Sequence, residues 1–107
     1  MDTDTLTRSL VVAARHYFDR TYGNSYYTAR VIVDGREVAV VPFTYGHGDL
    51  TYLDAAVKAA RAAGVEGLPD EVRGWTDRRD LEAAGWAVTV EEATVTRQRD
   101  LHNGGKH

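Results

Sequence analysis

An Asp34-Gly35 pair between two runs of β-branched and aromatic residues is the feature that most limits how this chain can fold. Both residue types adopt positive φ easily, which a two-residue hairpin turn requires. The flanking runs, residues 25–33 and 36–44, therefore predict an antiparallel hairpin. From the turn outward we expect these pairs: Val33 with Arg36, Val31 with Val38, Ala29 with Val40 and Tyr27 with Pro42.

This register divides the hairpin into two faces. One face holds most of the aliphatic side chains and is expected to cover the core. The other face is unusually apolar for a solvated surface, so we expect it to be half covered or to serve as a contact surface. Its residues are Tyr26, Thr28, Arg30 and Ile32 opposite Phe43, Val41, Ala39 and Glu37.

A helix is predicted over residues 50–63, where Leu50, Leu53, Val57 and Ala60 recur at helical spacing. Asp49 is expected to cap its first amide groups, and Gly64 to supply a left-handed residue at its end. A connector follows in which Pro69 begins a short helical turn, and Thr76-Asp77 is expected to cap a second, brief helix that ends before Gly85.

Two further strands complete the predicted sheet. Residues 9–20 fit either a helix or a strand, and we favour the strand because an isolated hairpin is only marginally stable in water. Apolar residues occupy alternate positions over residues 86–99. They change from even positions (Val88, Val90) to odd positions (Ala93, Val95), which indicates a bulge at Glu91-Glu92. The predicted fold is thus α+β: an antiparallel sheet of three to four strands packed against one main amphipathic helix, with a second short helix before the last strand.

The composition limits the class of protein. A chain of 107 residues can form one modest core, so we expect a single domain over residues 1–102 and a flexible tail over 103–107. The chain has no Cys, which excludes disulfides, thiol nucleophiles and Cys-based zinc sites. With neither a signal peptide nor an apolar run long enough to span a membrane, the expected location is the cytoplasm.

The segment Gly46-His47-Gly48 lies between a strand and a helix, where backbone amides can bind phosphate. The rest of a nucleotide-binding motif is missing, and Asp49 would repel the anion, so a tight turn is the better interpretation. His47 and Asp49, with His16 and Asp19, could also be drawn as a metal site, but that spacing is common by chance. We therefore expect no metal, no cofactor and no enzymatic activity.

Aromatic residues are concentrated before the main helix, where seven of the ten occur, at positions 17, 18, 22, 26, 27, 43 and 45. They could fill the core, form a protein interface or stack on single-stranded nucleic acid. Residues 1–49 contain five Arg against six acidic residues, so this half has no positive excess to favour nucleic acid. The expected binding residues are Tyr22, Tyr26, Arg30, Ile32, Val41 and Phe43.

Two segments, TYGNSY at residues 21–26 and PFTYGHGD at residues 42–49, carry a resemblance. With the residues just before each of them, they resemble a family of small, functionally uncharacterised proteins common in phages and prophages, and residues 95–101 are similar too. The resemblance implies a phage or prophage origin and an accessory role inside a bacterial host. In that family a Tyr more often stands at the position of His47, so the resemblance implies no family-wide role for this histidine.

Together these observations predict a small, phage-encoded, non-enzymatic interaction protein that binds a host or phage protein through an aromatic sheet face. A homodimer formed through the same face is compatible with this prediction. The alternative is a nucleic-acid-associated accessory protein that uses Tyr22, Tyr26, Phe43 and nearby Arg side chains, and it predicts salt-sensitive oligonucleotide binding.

Overall fold

The computed structural model describes residues 7–69 and 75–97. The chain forms, in order, β1 (Arg8–Asp19), β2 (Asn24–Val33), β3 (Arg36–Tyr45), α1 (Asp49–Ala62), α2 (Arg78–Ala83) and β4 (Trp86–Val95). The four strands make one sheet in the order β3-β2-β1-β4. Neither described helix has the length and apolar character needed to cross a membrane. The α+β architecture expected from the sequence is confirmed.

The hairpin at Asp34-Gly35 is present, with φ of 51° at Asp34 and 84° at Gly35. The predicted register holds only next to the turn, where Val33 pairs with Arg36. An irregularity between Val31 and Ile32 then shifts the pairing, and a second one lies between Tyr27 and Ala29. The observed pairs are Val31 with Ala39, Ala29 with Val41 and Tyr27 with Thr44.

These irregularities decide which side of the sheet each β3 side chain occupies. An extra residue in one strand inverts the alternation beyond it. Val41, which we expected on the uncovered face, is therefore only 5% exposed and belongs to the core. Ala39 also packs against the core, so the prediction was wrong for both residues. The second irregularity restores the expected side for Phe43, which stacks on Tyr26.

Residues 8–19 form the strand β1 rather than the helix that the sequence also allowed. β1 is central: it pairs antiparallel with β2 and parallel with β4. The sheet is therefore mixed, and the expectation of a wholly antiparallel sheet was wrong for its last strand. The physical reason is the connection, since the segment containing α1 and α2 carries the chain from one edge of the sheet to the other and lets β4 run parallel to β1.

The bulge expected at Glu91-Glu92 is absent, because β4 keeps one register from Trp86 opposite Arg8 to Val95 opposite Tyr17. Glu91 and Glu92 consequently project from opposite faces, as consecutive residues of a regular strand do. The described strand ends at Val95, and residues 98–99 of the predicted strand lie outside the described residues.

The helix α1 begins at Asp49, so the residue at the N-cap is Gly48, and no side chain caps the helix there. The predicted capping role of Asp49 was wrong, because Asp49 is already the first helical residue. Leu50 was also misplaced, since it is 51% exposed. The prediction for Gly64 is confirmed by its φ of 92°. The side chains of α1 that reach the core are Tyr52, Leu53, Ala56, Val57 and Ala60.

The short helix α2 follows an N-cap at Asp77, as expected. Asp77 and Asp80 form a reciprocal capping box in which each carboxylate accepts a hydrogen bond from the other residue's backbone amide. Leu81 joins α2 to the core. The helical turn predicted after Pro69 and the tail at 103–107 lie outside the described residues.

We call the side of the sheet that packs on α1 the covered face and the opposite side the open face. Rows of paired residues cross the covered face, and at one end of the sheet they are apolar. Val33, Leu10 and Val88 form one such row, and Val31, Val12 and Val90 form the next. Five of these six side chains are aliphatic valines, and α1 packs over them to form the hydrophobic core.

Candidate functional site

A row of aromatic residues crosses the open face near the end of the sheet where β1 turns into β2. Tyr45 pairs with Tyr26, Tyr26 with Tyr17, and Tyr17 with Val95, so one row extends over all four strands. Tyr45 is 68% exposed, and the other members of the row are half-buried. We call Tyr17, Tyr26, Phe43 and Tyr45 the aromatic cluster. It places four aromatic side chains, three of them tyrosines, on one side of the sheet.

Contacts between rings join three members of this cluster, Tyr26, Phe43 and Tyr45. Tyr26 stacks on Phe43 with ring centroids 4.9 Å apart and an angle of 18° between the rings. Tyr45 meets Tyr26 edge-on, at 5.8 Å and 73°. Both arrangements are favoured by the quadrupoles of aromatic rings. These three rings therefore restrict one another's orientation.

The other predicted binding residues do not all lie on the open face. Arg30 and Ile32 lie on the open face, but the Arg30 guanidinium contacts the Glu37 carboxylate at 2.6 Å, so its charge is neutralised locally. Tyr22 lies in the turn between β1 and β2 and is 77% exposed. Val41 is part of the core. The structure thus brings Tyr26 and Phe43 together, sets Arg30 and Ile32 farther along the same face, and removes Val41 from it.

A shallow depression of about 320 Å³ lies between β1, β2 and β4. Its lining includes the small side chains of Ala13 and Ala93 and the charged side chains of Arg15, Arg30 and Glu91. Both signs of charge therefore occur beside the aromatic cluster.

The covered face becomes polar at the end of the sheet where the aromatic cluster lies on the other side. Beyond the valine rows, Ala29 and Ala14 lie beside Glu92, and in the next row Tyr27 and His16 lie beside Thr94. Positions that continue apolar rows thus hold a carboxylate and an imidazole. His16 is only 9% exposed. Polar side chains at core-facing positions need partners, and each of these has them.

Three side chains of types that commonly ligate metals meet at this end of the covered face, each from a different part of the chain. His16 comes from β1, His47 from the loop before α1, and Glu92 from β4, and their ligand atoms all lie within 4.8 Å of one another. His47 Nε2 is 3.3 Å from Glu92 Oε2. The two imidazole rings lie 4.3 Å apart between centroids, with an angle of 45° between them. We call these three residues the His–Glu cluster.

A second layer of hydroxyl groups surrounds the His–Glu cluster. The Tyr52 hydroxyl donates a hydrogen bond to Glu92 Oε2. His16 Nε2 is 3.0 Å from the Ser25 hydroxyl oxygen, and His16 Nδ1 is 3.5 Å from that of Thr94. Each ring nitrogen of His16 therefore has a hydroxyl group beside it.

The loop Gly46-His47-Gly48 places His47 over the end of the covered face. The Gly46 amide donates a hydrogen bond to the Ser25 carbonyl oxygen at 2.9 Å, which continues the pairing of β2 with β3. Gly46 has a φ of 143°, and a Cβ there would lie 3.0 Å from Thr51 Cγ2 and 3.3 Å from Tyr27 Cε1. Only glycine fits both the backbone conformation and this close approach.

Burial sets the protonation states in this region. Desolvation lowers the pKa of His16, and the neighbouring His47 lowers it further, while Glu92 acts in the opposite direction. Desolvation raises the pKa of Tyr52 far above its ordinary value, and its hydrogen bond to Glu92 adds to that rise. At neutral pH the Tyr52 phenol is therefore protonated and acts as a donor.

The metal site that was considered from the sequence, and set aside, contained His16 and His47 with Asp19 and Asp49 as its carboxylates. The structure places Glu92 beside the two histidines instead. Asp19 accepts a hydrogen bond from the Thr21 amide at 2.9 Å, and Asp49 begins α1. Glu92 and Tyr52 were missed. A signal for Glu92 existed, because it continues the alternate positions of Trp86, Val88 and Val90 on a strand without a bulge.

Comparisons of this chain with protein-family models, with curated proteins and with solved structures found no match.

Proposed function

We propose that this protein is an interaction module that binds another protein through the aromatic cluster on its open face. The resemblance to phage proteins extends the proposal to a cytoplasmic partner from the bacterial host or from the phage itself. The observation that carries the proposal is the row of Tyr45, Tyr26 and Tyr17, with Phe43 stacked on it, on a face against which neither described helix packs.

Aromatic residues are well suited to this role. Tyr and Trp are enriched among the residues that contribute most to protein–protein affinity, because they bury large areas while losing few rotatable bonds. In the aromatic cluster the stacked and edge-on contacts already restrict these rotations. Binding therefore orders fewer side chains, and less of the contact energy is offset by lost entropy.

The charges near the cluster favour a protein over a nucleic acid. Nucleic-acid platforms combine stacked aromatic residues with a positive groove along the phosphate backbone. Here the Arg30 guanidinium is occupied by Glu37, and Glu91 lies beside the same depression. The mixed charge fits the polar rim of a protein interface better.

The test is affinity capture from a bacterial lysate with the wild-type chain and two variants, in the presence and absence of nuclease. The first variant, Tyr26→Ala/Phe43→Ala, removes the centre of the aromatic cluster. The matched control, Leu50→Ala, removes an exposed apolar side chain from α1, away from the open face. Circular dichroism and thermal unfolding establish that both variants are folded.

The proposal expects one or more proteins to be recovered by the wild-type chain and by Leu50→Ala, with or without nuclease, and lost with the double variant. Recovery that is equal for all three chains contradicts it. Recovery that disappears with nuclease, together with salt-sensitive anisotropy changes of labelled oligonucleotides, supports the nucleic-acid alternative instead.

A further inference from the structure

We propose that His16, His47 and Glu92 form a binding site for a first-row divalent transition ion, with zinc as the expected occupant. This inference is independent of the aromatic cluster, which lies on the opposite face of the sheet. It rests on three residues that are far apart in the sequence and that the fold brings to one point.

The distances suit a small ion. Ligand atoms bound tetrahedrally to zinc at about 2.0–2.1 Å are separated from one another by roughly 3.3 Å. His47 Nε2 and Glu92 Oε2 already have this separation, at 3.3 Å. All three ligand atoms lie within 4.8 Å of one another, and His47, whose side chain is 53% exposed in a loop, can rotate to close the remaining gap.

The donor set selects the kind of ion. Two imidazole nitrogens and one carboxylate oxygen bind borderline ions such as Zn²⁺, Co²⁺ and Ni²⁺. Ca²⁺ and Mg²⁺ prefer sites built from oxygen ligands. Zinc sites with three protein ligands keep a fourth position for water, and the partial exposure of His47 and Glu92 gives that position access to solvent.

The surrounding hydroxyl groups have the arrangement that metal sites use to orient their ligands. A ligating histidine commonly donates its other ring N–H to a neighbouring acceptor. Ser25 lies beside His16 Nε2 and Thr94 beside Nδ1, so such an acceptor exists whichever nitrogen binds the ion. Tyr52, a protonated phenol, donates to Glu92 Oε2 and fixes the orientation of the carboxylate.

The alternative interpretation is a simple ion pair between His47 and Glu92. A partly exposed ion pair contributes little stability and explains neither the second imidazole nor the hydroxyl groups around it. The metal interpretation gives every member of the group a role.

The test is titration of the untagged full chain with ZnCl₂ by isothermal calorimetry, with MgCl₂ as the negative control and CoCl₂ as a spectroscopic probe. The background variant His102→Ala/His107→Ala removes the other two histidines of the chain, which could bind zinc by themselves. Three variants address the site: His16→Ala, His47→Ala and Glu92→Gln. A fourth, Asp49→Asn, removes the carboxylate two residues from His47 that does not belong to the cluster.

The proposal expects one zinc per chain in the background variant, the same site occupied in the wild type and in Asp49→Asn, and no binding of magnesium. Each site variant should weaken zinc binding by more than the roughly 10–100-fold that loss of a supporting hydrogen bond costs. The visible bands of Co²⁺ should lose intensity in parallel. His16 is buried, so His47→Ala and Glu92→Gln, at more exposed positions, decide the result if His16→Ala does not fold.

Two results would overturn the proposal. The first is the absence of saturable zinc binding to the folded background variant, whose only histidines are His16 and His47. The second is binding that survives His47→Ala and Glu92→Gln at wild-type strength, because the ion would then be held elsewhere. Neither result depends on whether the aromatic cluster binds a protein.

Discussion

The covered face and the open face of this sheet are built from alternate residues of the same four strands. Their aliphatic, polar and aromatic side chains are nevertheless distributed differently. The covered face holds aliphatic side chains through most of its length and turns polar in its last rows, at His16, Glu92 and Thr94. The open face holds small and charged side chains in its middle and aromatic rings at one end.

The His–Glu cluster and the aromatic cluster lie at the same end of the sheet, because His16 and Tyr17 are consecutive residues of β1 and project to opposite sides. The aliphatic rows of the covered face form the core, while the last rows of both faces carry the candidate sites.

The largest loss of stability is expected from a substitution in the core beneath α1. Leu10→Ala removes a fully buried side chain and should lower the free energy of unfolding by about 2–5 kcal/mol. Ile32→Ala, at a half-buried position on the open face, should cost about 1 kcal/mol or less. Urea denaturation with unchanged m-values measures both. Equal losses would show that the open face contributes to the core as much as the covered face does.

The hydrogen bond from Tyr52 to Glu92 should contribute less than the core does. Tyr52→Phe removes the donor and leaves a partly exposed carboxylate to water, so we expect a loss of about 1 kcal/mol in the free energy of unfolding. Tyr45→Phe is the matched control, because Tyr45 is mostly exposed. A similar loss in both variants would contradict a specific role for the Tyr52 hydroxyl.

The stacked pair on the open face should show a coupling that can be measured directly. A double-mutant cycle with Tyr26→Ala and Phe43→Ala should give a coupling free energy of about 0.5–1.5 kcal/mol. A cycle between Tyr26→Ala and Leu50→Ala should give a value near zero. A coupling near zero in the first cycle would mean that the rings are not ordered by each other in solution.

The smallest effect is expected at the hairpin turn, outside both faces. The Ser9 amide and the Arg8 guanidinium hold the pKa of Asp34 below its ordinary value of 3.8. The folded state therefore gains stability from ionised Asp34 above about pH 4 and loses it as the pH falls through the lower, folded pKa. The effect is small because the Asp34 side chain is 46% exposed.

Asp34→Asn keeps an oxygen acceptor for the Ser9 amide and tolerates the positive φ, but it removes the charge together with the oxygen that accepts from Arg8. Its free energy of unfolding should be slightly lower than that of the wild type at pH 7, and the difference should shrink as the pH falls below the ordinary pKa of Asp34. Denaturation curves over this pH range measure it. A constant difference would assign the effect to geometry rather than to ionisation.

Most turns and helix ends were predictable from the sequence because they depend on neighbouring residues, although the cap at Asp49 was predicted wrongly. The Asp34-Gly35 turn, the Asp77 cap and the end of α1 at Gly64 are all decided within a few residues. The choice of strand for residues 9–20 followed from the need to complete a sheet. These parts of the fold were predictable from residue chemistry.

The remaining features depend on contacts that no local pattern contains. The bulges in β3 let Val41 reach the core against α1, and only the packed structure shows where the extra residues are needed. The direction of β4 depends on the path of a long connection. The His–Glu cluster joins residues from β1, a loop and β4, so its carboxylate could not be assigned without the topology.

The position of β1 between β2 and β4 has a consequence for the order in which the sheet is completed. β2 and β3 follow β1 directly, and their antiparallel pairing closes only short loops, whereas β4 reaches β1 after the whole helical connection. As the chain leaves the ribosome, one edge of β1 therefore stays unpaired until the last strand is synthesised. During that interval the future centre of the sheet is an exposed edge, open to pairing with other chains.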